Sequence, residues 1–314
     1  MARAIFGAAI AGRSFRGPHR ARGQARAGSG LICRRCAARC AKYEGVRTSP
    51  LAALCLALAF AAPGWAQTPQ TIGLEDLTWT ELRAFVRAGK TSVLMPIGGT
   101  EQNGPHMALG KHNVRVKALA ERIARDLGNA LVAPVLAYVP EGAMEPPTGH
   151  MRFPGTITVR EETFRQTLDS AARSFRLHGF RDIVFLGDHG STQAGERDVA
   201  ARLNREWAAS PARVHAVEAY YRAATAGFEA LLKARGYRAE EIGQHAGLSD
   251  TSLTLALEPR LVRATPREAP ASGEPSGVEG DPRRASADLG RLGVDLIVTQ
   301  SVTAIRKSIE SSRR

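Results

Sequence analysis

The sequence predicts an α/β fold, a single domain of three layers around a mostly parallel sheet, and two observations lead there. Short apolar runs closed by glycine alternate with longer segments whose apolar residues recur at helical spacing, from Ser92 to Ala219. Dense polar clusters follow directly on two of the apolar runs, where the loops of a parallel sheet converge.

Taken in order, Gly73 to Gly89 has Leu77, Leu82, Phe85 and Val86 as the apolar positions of a short amphipathic helix. Ser92 to Gly98 (SVLMPIG) is short and bounded by Gly98-Gly99, which makes it a buried strand. Lys111 to Leu127 carries Val116, Leu119, Ala120, Ile123 and Leu127 on one face and stops at Gly128-Asn129, the pattern of a helix and its cap. Leu131 to Val139 is a strand by its branched residues. Glu161 to His178 is a helix with Phe164, Leu168, Ala171 and Phe175 in one stripe. Asp182 to Gly187 (DIVFLG) is the plainest strand, and a helix from Gln193 to Trp207 and a strand from Val214 to Ala219 follow. Pro266 to Arg284 is rich in Pro, Gly and Ser and is expected to be a long loop, with a closing helix from Asp288 to Ser311.

The chain has 314 residues and a formal charge of +13. Residues 1–66 hold eleven basic residues and one acid, Glu44, so the remaining 248 residues carry only +3. A nearly neutral body does not call for nucleic acid. All four cysteines, Cys33, Cys36, Cys40 and Cys55, also lie in this front part, which leaves the body without disulfide or thiolate chemistry. Leu51 to Ala62 (LAALCLALAFAA) is an apolar core followed by small residues at Gly64 and Ala66, the pattern of an export signal cleaved before Gln67. Residues 1–66 are therefore expected to be a basic extension plus signal peptide, and 67–314 the working domain of a periplasmic or secreted protein. The run is too short for a comfortable span, and Cys55 sits inside it, so no stable membrane anchor is expected.

Three turns concentrate polar chemistry. The first holds Glu101, Gln102, Asn103, His106 and His112, the second Asp188, His189, Ser191 and Thr192, and the third Gln244, His245, Ser249 and Asp250. Carboxylates and imidazoles spread over such turns are ligands that Zn²⁺ and Mn²⁺ take, although each alone also serves as a cap or a loop hydrogen-bonder. His106 fits a structural place, as do His178 and His215. His150 could line the pocket or pack its loop, and Asp188 could orient a neighbour or cap a helix.

The runs PIGGTEQNGPHMALGKH (Pro96 to His112), FPGTIT (Phe153 to Thr158), FLGDHG (Phe185 to Gly190) and HAGLSDTSLTLAL (His245 to Leu257) resemble, in order and in register, the creatininase (creatinine amidohydrolase) family. The resemblance implies an α/β hydrolase of cyclic or linear amide C–N bonds, assembled as a homo-oligomer, typically a hexamer, with a pair of divalent metals at the strand ends. It places metal ligands at Glu101, Asn103, His112, His189, Ser191 and Asp250, and a proton-transfer histidine at His245. Asn103, His112 and Ser191 depart from the family's His, bridging Asp and Glu. An imidazole offers one lone pair and does not ordinarily bridge two cations. The residues that remain, Glu101, His112, His189 and Asp250, are expected to hold one Zn²⁺ or Mn²⁺ rather than two. Glu101 and His245 are the expected catalytic residues, acting on a small-molecule amide with His245 passing a proton to the leaving nitrogen. A second expectation, from another class, is a solute-binding or scaffold protein that has kept the fold and lost catalysis.

Overall fold

The computed structural model describes residues 70–263 and 276–314. The expected signal segment, the cysteines and the first part of the expected Pro266–Arg284 loop, through residue 275, lie outside the described residues. Four strands, β1 (Ser92–Ile97), β2 (Ala130–Val132), β3 (Asp182–Gly187) and β4 (Arg213–Ala216), form an all-parallel sheet in the order β2-β1-β3-β4. β1 pairs with β3 along its whole length, from Ser92 opposite Asp182 to Ile97 opposite Gly187. The α/β layer architecture expected from the sequence is therefore present.

Every residue of β1 and β3 is buried, as central strands covered on both faces must be. Alternation divides them between two cores. Val93, Met95, Ile97, Ile183 and Phe185 pack with Phe85 of α1 (Trp79–Arg87), Phe164 and Leu168 of α3 (Glu161–Leu177) and Leu203 of α4 (Gln193–Glu206). Leu94, Val184 and Leu186 face α2 (Lys111–Leu127), where Val116, Leu119 and Ile123 recur every three or four residues. α1 begins in a capping box, with Thr78 N–H donating to Glu81 Oε2 and Glu81 N–H to Thr78 Oγ1.

Two strands are shorter than expected. β2 ends at Val132, because Pro134 has no N–H to give the ladder; Leu136, partly buried, and Val139, buried, pair only through isolated bridges to Ile97 and Thr158. β4 ends at Ala216, and the chain turns at once into α5 (Glu218–Arg222), a π-helical turn (Ala223–Gly227) and α6 (Phe228–Lys233). The sequence explains this: Tyr220, Ala223, Ala224, Phe228 and Leu232 are helically spaced and all buried in the second core.

After the short α7 (Ala239–Ile242), α8 (Leu248–Leu257) and α9 (Ala287–Ser312) complete that layer. Gly290 of α9 lies so close to α8 that a Cβ there would overlap the Ser252 carbonyl oxygen. Residues at the far end of the expected loop are ordered against the site: Glu279 N–H donates to His245 O at 2.8 Å, and Glu279 O accepts from Gln244 N–H at 2.9 Å.

Beneath the β3 end, α4 buries Glu196 at 2% exposure with Oε1 unbonded. Burial pushes its carboxyl up to about 8, against hydrogen bonds from Thr192 and the Gly187 backbone; Arg197 pulls it down and Glu218 up. The folded value exceeds the unfolded one, so the folded state keeps a proton that the unfolded chain releases. Stability is accordingly full below the ordinary glutamate range and is lost as pH rises toward 8. Glu196→Gln is expected to remove that loss. Thermal melts at pH 5 and pH 8.5 check it: the variant gains Tm over the parent only at the higher pH, by about 2–4 °C per kcal/mol recovered.

Candidate active site

The carboxyl ends of the strands open onto a cavity of about 250 Å³, room for a small ligand. The turn after β1 brings Glu101, and the first two turns of α2 bring Lys111, His112 and Arg115. The β3 end brings Asp188 and His189, a 3-10 turn (Gly149–Arg152) brings His150, the approach to α8 brings His245, and the first turn of α8 brings Asp250. Tyr221 of α5 and Thr225 of the π-helical turn, a backbone form that often marks functional sites, close the wall.

Glu101 is fully buried and is the hub. His112 Nε2 lies 2.7 Å from its Oε1, while His189 Nε2 at 3.0 Å and His150 Nε2 at 3.2 Å approach its Oε2. Burial pushes the Glu101 carboxyl up, but the charge and hydrogen bond of His112, the bond from His189 and the charge of Lys111 outweigh it. Glu101 is held ionised, far below the usual carboxylate range. His112 is fixed in turn, with Nδ1 at 2.6 Å from Asp188 Oδ2. It therefore stands between two carboxylates and steers Glu101.

Asp250 lies in a different grouping from the one expected. Its Oδ2 accepts from Lys111 Nζ at 2.6 Å and from Ala246 N–H at 2.9 Å, and its Oδ1 from Arg115 Nη1 at 2.7 Å. Burial alone would raise its carboxyl, but Lys111 and Arg115 hold it well below the ordinary value. Both oxygens thus serve cations of the chain. Arg115 Nε also donates to Asp188 at 2.8 Å, and Tyr220 O–H donates to the other Asp188 oxygen at 2.7 Å.

His189 is kept below its ordinary value by burial, against the pull of Glu101, and is neutral near pH 7. His189 Nδ1 accepts from Ser191 N–H at 3.2 Å, which places the ring proton on Nε2 toward Glu101; Ser191 Oγ, 2.7 Å from Nδ1 and itself donating to the Pro140 carbonyl, is an acceptor that lets the proton move to Nδ1 and frees Nε2 for a cation. Asn103 spends its amide N–H groups within its own turn, on Glu101 O at 2.9 Å and Ala108 O at 3.0 Å.

For His245 the partners fix the tautomer. Its Nε2 lies 2.9 Å from the Gln102 carbonyl, which only accepts, so Nε2 carries the proton and Nδ1 the lone pair, 3.7 Å from Glu101 Oε1. Burial, then the charge of Lys111, pushes it down to about 4. The same reasoning applies to His150, whose ring is 4.4 Å from that of His245. Gly104 N–H donates to Gln102 Oε1 at 2.9 Å, so Gln102 Nε2 donates to His150 Nδ1 at 2.9 Å, leaving the His150 proton on Nε2 toward Glu101.

Glu141, from the loop after β2, did not stand out in the sequence. Its carboxylate is buried, with Oε2 3.1 Å from His189 Nε2, and neither oxygen is hydrogen-bonded. Burial, then the adjacent Glu101, pushes its carboxyl up to about 9. Lys111 and Arg115 were likewise missed, although Arg115 lies one turn from both Lys111 and His112 on the same helix, which is a readable signal.

Glu101, His150 and His189 each offer one donor atom, all within 4.8 Å of one another, and form a group that could hold a metal ion. An ion bonded at 2.0–2.2 Å in a tetrahedron sets its donors about 3.3–3.6 Å apart. The separations of 3.0 and 3.1 Å from His189 Nε2 to Glu101 and Glu141 are a few tenths of an ångström shorter, so the donors would move slightly apart to take an ion.

Comparison with known proteins agrees with this picture. Creatinine amidohydrolase of Pseudomonas putida is 29% identical over 196 residues, 62% of this chain and 74% of that one. Mycofactocin precursor peptide peptidase of Mycobacterium ulcerans is 28% identical over 241 residues, 69% of this chain and 85% of that one. A crystal structure of creatinine amidohydrolase (creatininase) superposes with TM-score 0.63 at 26% identity, covering 77% of this chain and 99% of that one. A structure described as creatininase Mn superposes with TM-score 0.61 at 27% identity, covering 76% and 99%. The family model for creatininase, creatinine amidohydrolase, matches residues 75–305. With its parallel sheet, its strand-end site and that match across most of its length, this chain belongs to the creatininase family.

Proposed function

We propose that this protein is an exported, metal-dependent amidohydrolase that cleaves the C–N bond of a small cyclic or linear amide, using one Zn²⁺ or Mn²⁺. The observation that carries this reading is the convergence, in one small cavity, of Glu101 and His189 as cation donors with the unprotonated Nδ1 of His245. A divalent ion bound there supplies the charge that polarises an amide carbonyl and makes water a nucleophile near neutral pH.

The chain's own residues divide the remaining work. Glu101 and His189 would hold the ion, His112 keeps Glu101 aimed, and the His150 Nε2–H faces the same space as a donor. His245 Nδ1 takes a proton from the attacking water and passes it to the departing nitrogen. Lys111, buried and 3.8 Å from Glu101 Oε1, fixes a positive charge beside the ion. A second divalent cation would meet like-charge repulsion there, which favours one ion over two.

His245→Gln is expected to lower kcat for amide hydrolysis by about 10²–10⁴-fold while metal content is unchanged. The assay uses a panel of small amides, lactams and formamides together with elemental analysis of each variant. Activity untouched by the substitution would refute the role of His245. A metal-bearing protein that hydrolyses none of the panel would favour the solute-binding reading. Export is supported by the apolar run and small residues before Gln67; among the described residues no helix is long and apolar enough to cross a membrane. N-terminal sequencing of the cellular protein tests it, Gln67 being the expected first residue and a retained front segment the contrary one.

A further inference from the structure

We propose that Glu141 is a ligand of the divalent ion and completes, with Glu101 and His189, a site of one imidazole and two carboxylates. The inference rests on the metal-dependent reading above and adds to it a residue from a separate loop.

Geometry carries it. Glu141 is 4% exposed, and neither of its carboxylate oxygens has a hydrogen-bond partner. A carboxyl buried in this way is costly to ionise, and a cation beside it is one group that removes the cost. Its Oε2 and Glu101 Oε2 flank the same nitrogen, His189 Nε2, at 3.1 and 3.0 Å. Two carboxylates around one imidazole nitrogen make a donor set whose charge matches a divalent ion.

The surroundings are built to keep Glu141 there. Its N–H donates to Thr158 Oγ1 at 2.9 Å, and the preceding carbonyl, Pro140 O, accepts from Ser191 Oγ, whose other neighbour is His189 Nδ1. One hydroxyl thus ties the Glu141 loop to the His189 ring. Gly99, with φ +155°, makes the space: a Cβ there would stand 2.6 Å from Glu141 Oε1. His150 is the rival third ligand, but its Nδ1 faces only the Gln102 amide nitrogen, which cannot take a hydrogen bond from it, so its proton stays on Nε2; His189 Nδ1 has the acceptor Ser191 Oγ at 2.7 Å and can carry the proton while Nε2 binds an ion.

The test is titration of the metal-stripped full-length protein with Zn²⁺ by calorimetry and with Co²⁺ by its visible ligand-field spectrum. Glu141→Gln is expected to weaken both ions by at least ~100-fold and to alter the Co²⁺ spectrum, whereas His150→Gln keeps affinity within about threefold. Gly99→Ala, which displaces the Glu141 carboxylate without removing it, is expected to weaken binding and supplies the answer if Glu141→Gln does not fold. Parental affinity and spectrum in Glu141→Gln would overturn the proposal and leave the metal-dependent reading standing. Loss in His150→Gln with Glu141→Gln unaffected would overturn it in favour of the imidazole. A parent protein that binds neither ion would overturn both.

Discussion

Replacing Glu101 by Gln is expected to abolish metal retention and to lower kcat/KM for amide hydrolysis by at least ~10³-fold, a barrier increase of about 4 kcal/mol. The substitution keeps volume and removes the charge on which three imidazoles converge, at 2.7, 3.0 and 3.2 Å. The new amide also presents a donor where the site needs an acceptor, so His112 or His189 must turn away. Elemental analysis, steady-state kinetics and circular dichroism of the same preparation check it. A variant that keeps its fold but also keeps metal and turnover would remove Glu101 from the centre of the site.

Arg115→Met is expected to destabilise the protein by about 3–5 kcal/mol, lowering Tm by roughly 10 °C, because it leaves the buried Asp188 and the part-buried Asp250 carboxylates facing each other across an apolar side chain. Arg115 is 4% exposed and bonds Asp188 at 2.8 Å and Asp250 at 2.7 Å. Burial lowers its affinity for a proton, and the two aspartates more than restore it, so the guanidinium stays charged. Asp188→Asn in the Arg115→Met background should recover part of the loss, giving a double-mutant cost below the sum of the two singles. Denaturant melts of the four proteins read this directly. Strict additivity would show that the pair is not energetically linked.

Helix and strand positions were legible wherever burial imposes a period. α2 runs from Lys111 to Leu127 and β3 from Asp182 to Gly187, as their patterns require. Where apolar residues bury without regular pairing, the pattern misleads. Leu136 and Val139 look like strand residues and pair only through single bridges, and the helices after Ala216 hide behind a strand-like start. At the site, Glu101, His189 and His245 could be picked out because they sit in polar turns at strand or helix ends. Glu141 could not, since its meaning lies in contacts with Gly99, Thr158 and His189 that are distant in sequence. Asp250 was assigned by its position in a motif, and its partners, Lys111 and Arg115, lie about 140 residues earlier, where a charge on a helix face ordinarily means solvent.

The contact at Gly290 has a temporal side. α9 is the last element of the chain, and its glycine lets it lie against the Ser252 carbonyl of α8, the helix whose first turn carries Asp250. Synthesis runs from the N-terminus, so Glu101, Lys111 and His189 leave the ribosome long before the helix that seats Asp250 exists. Until then Lys111 and Arg115 lack their shared counter-ion, and this part of the site remains unassembled.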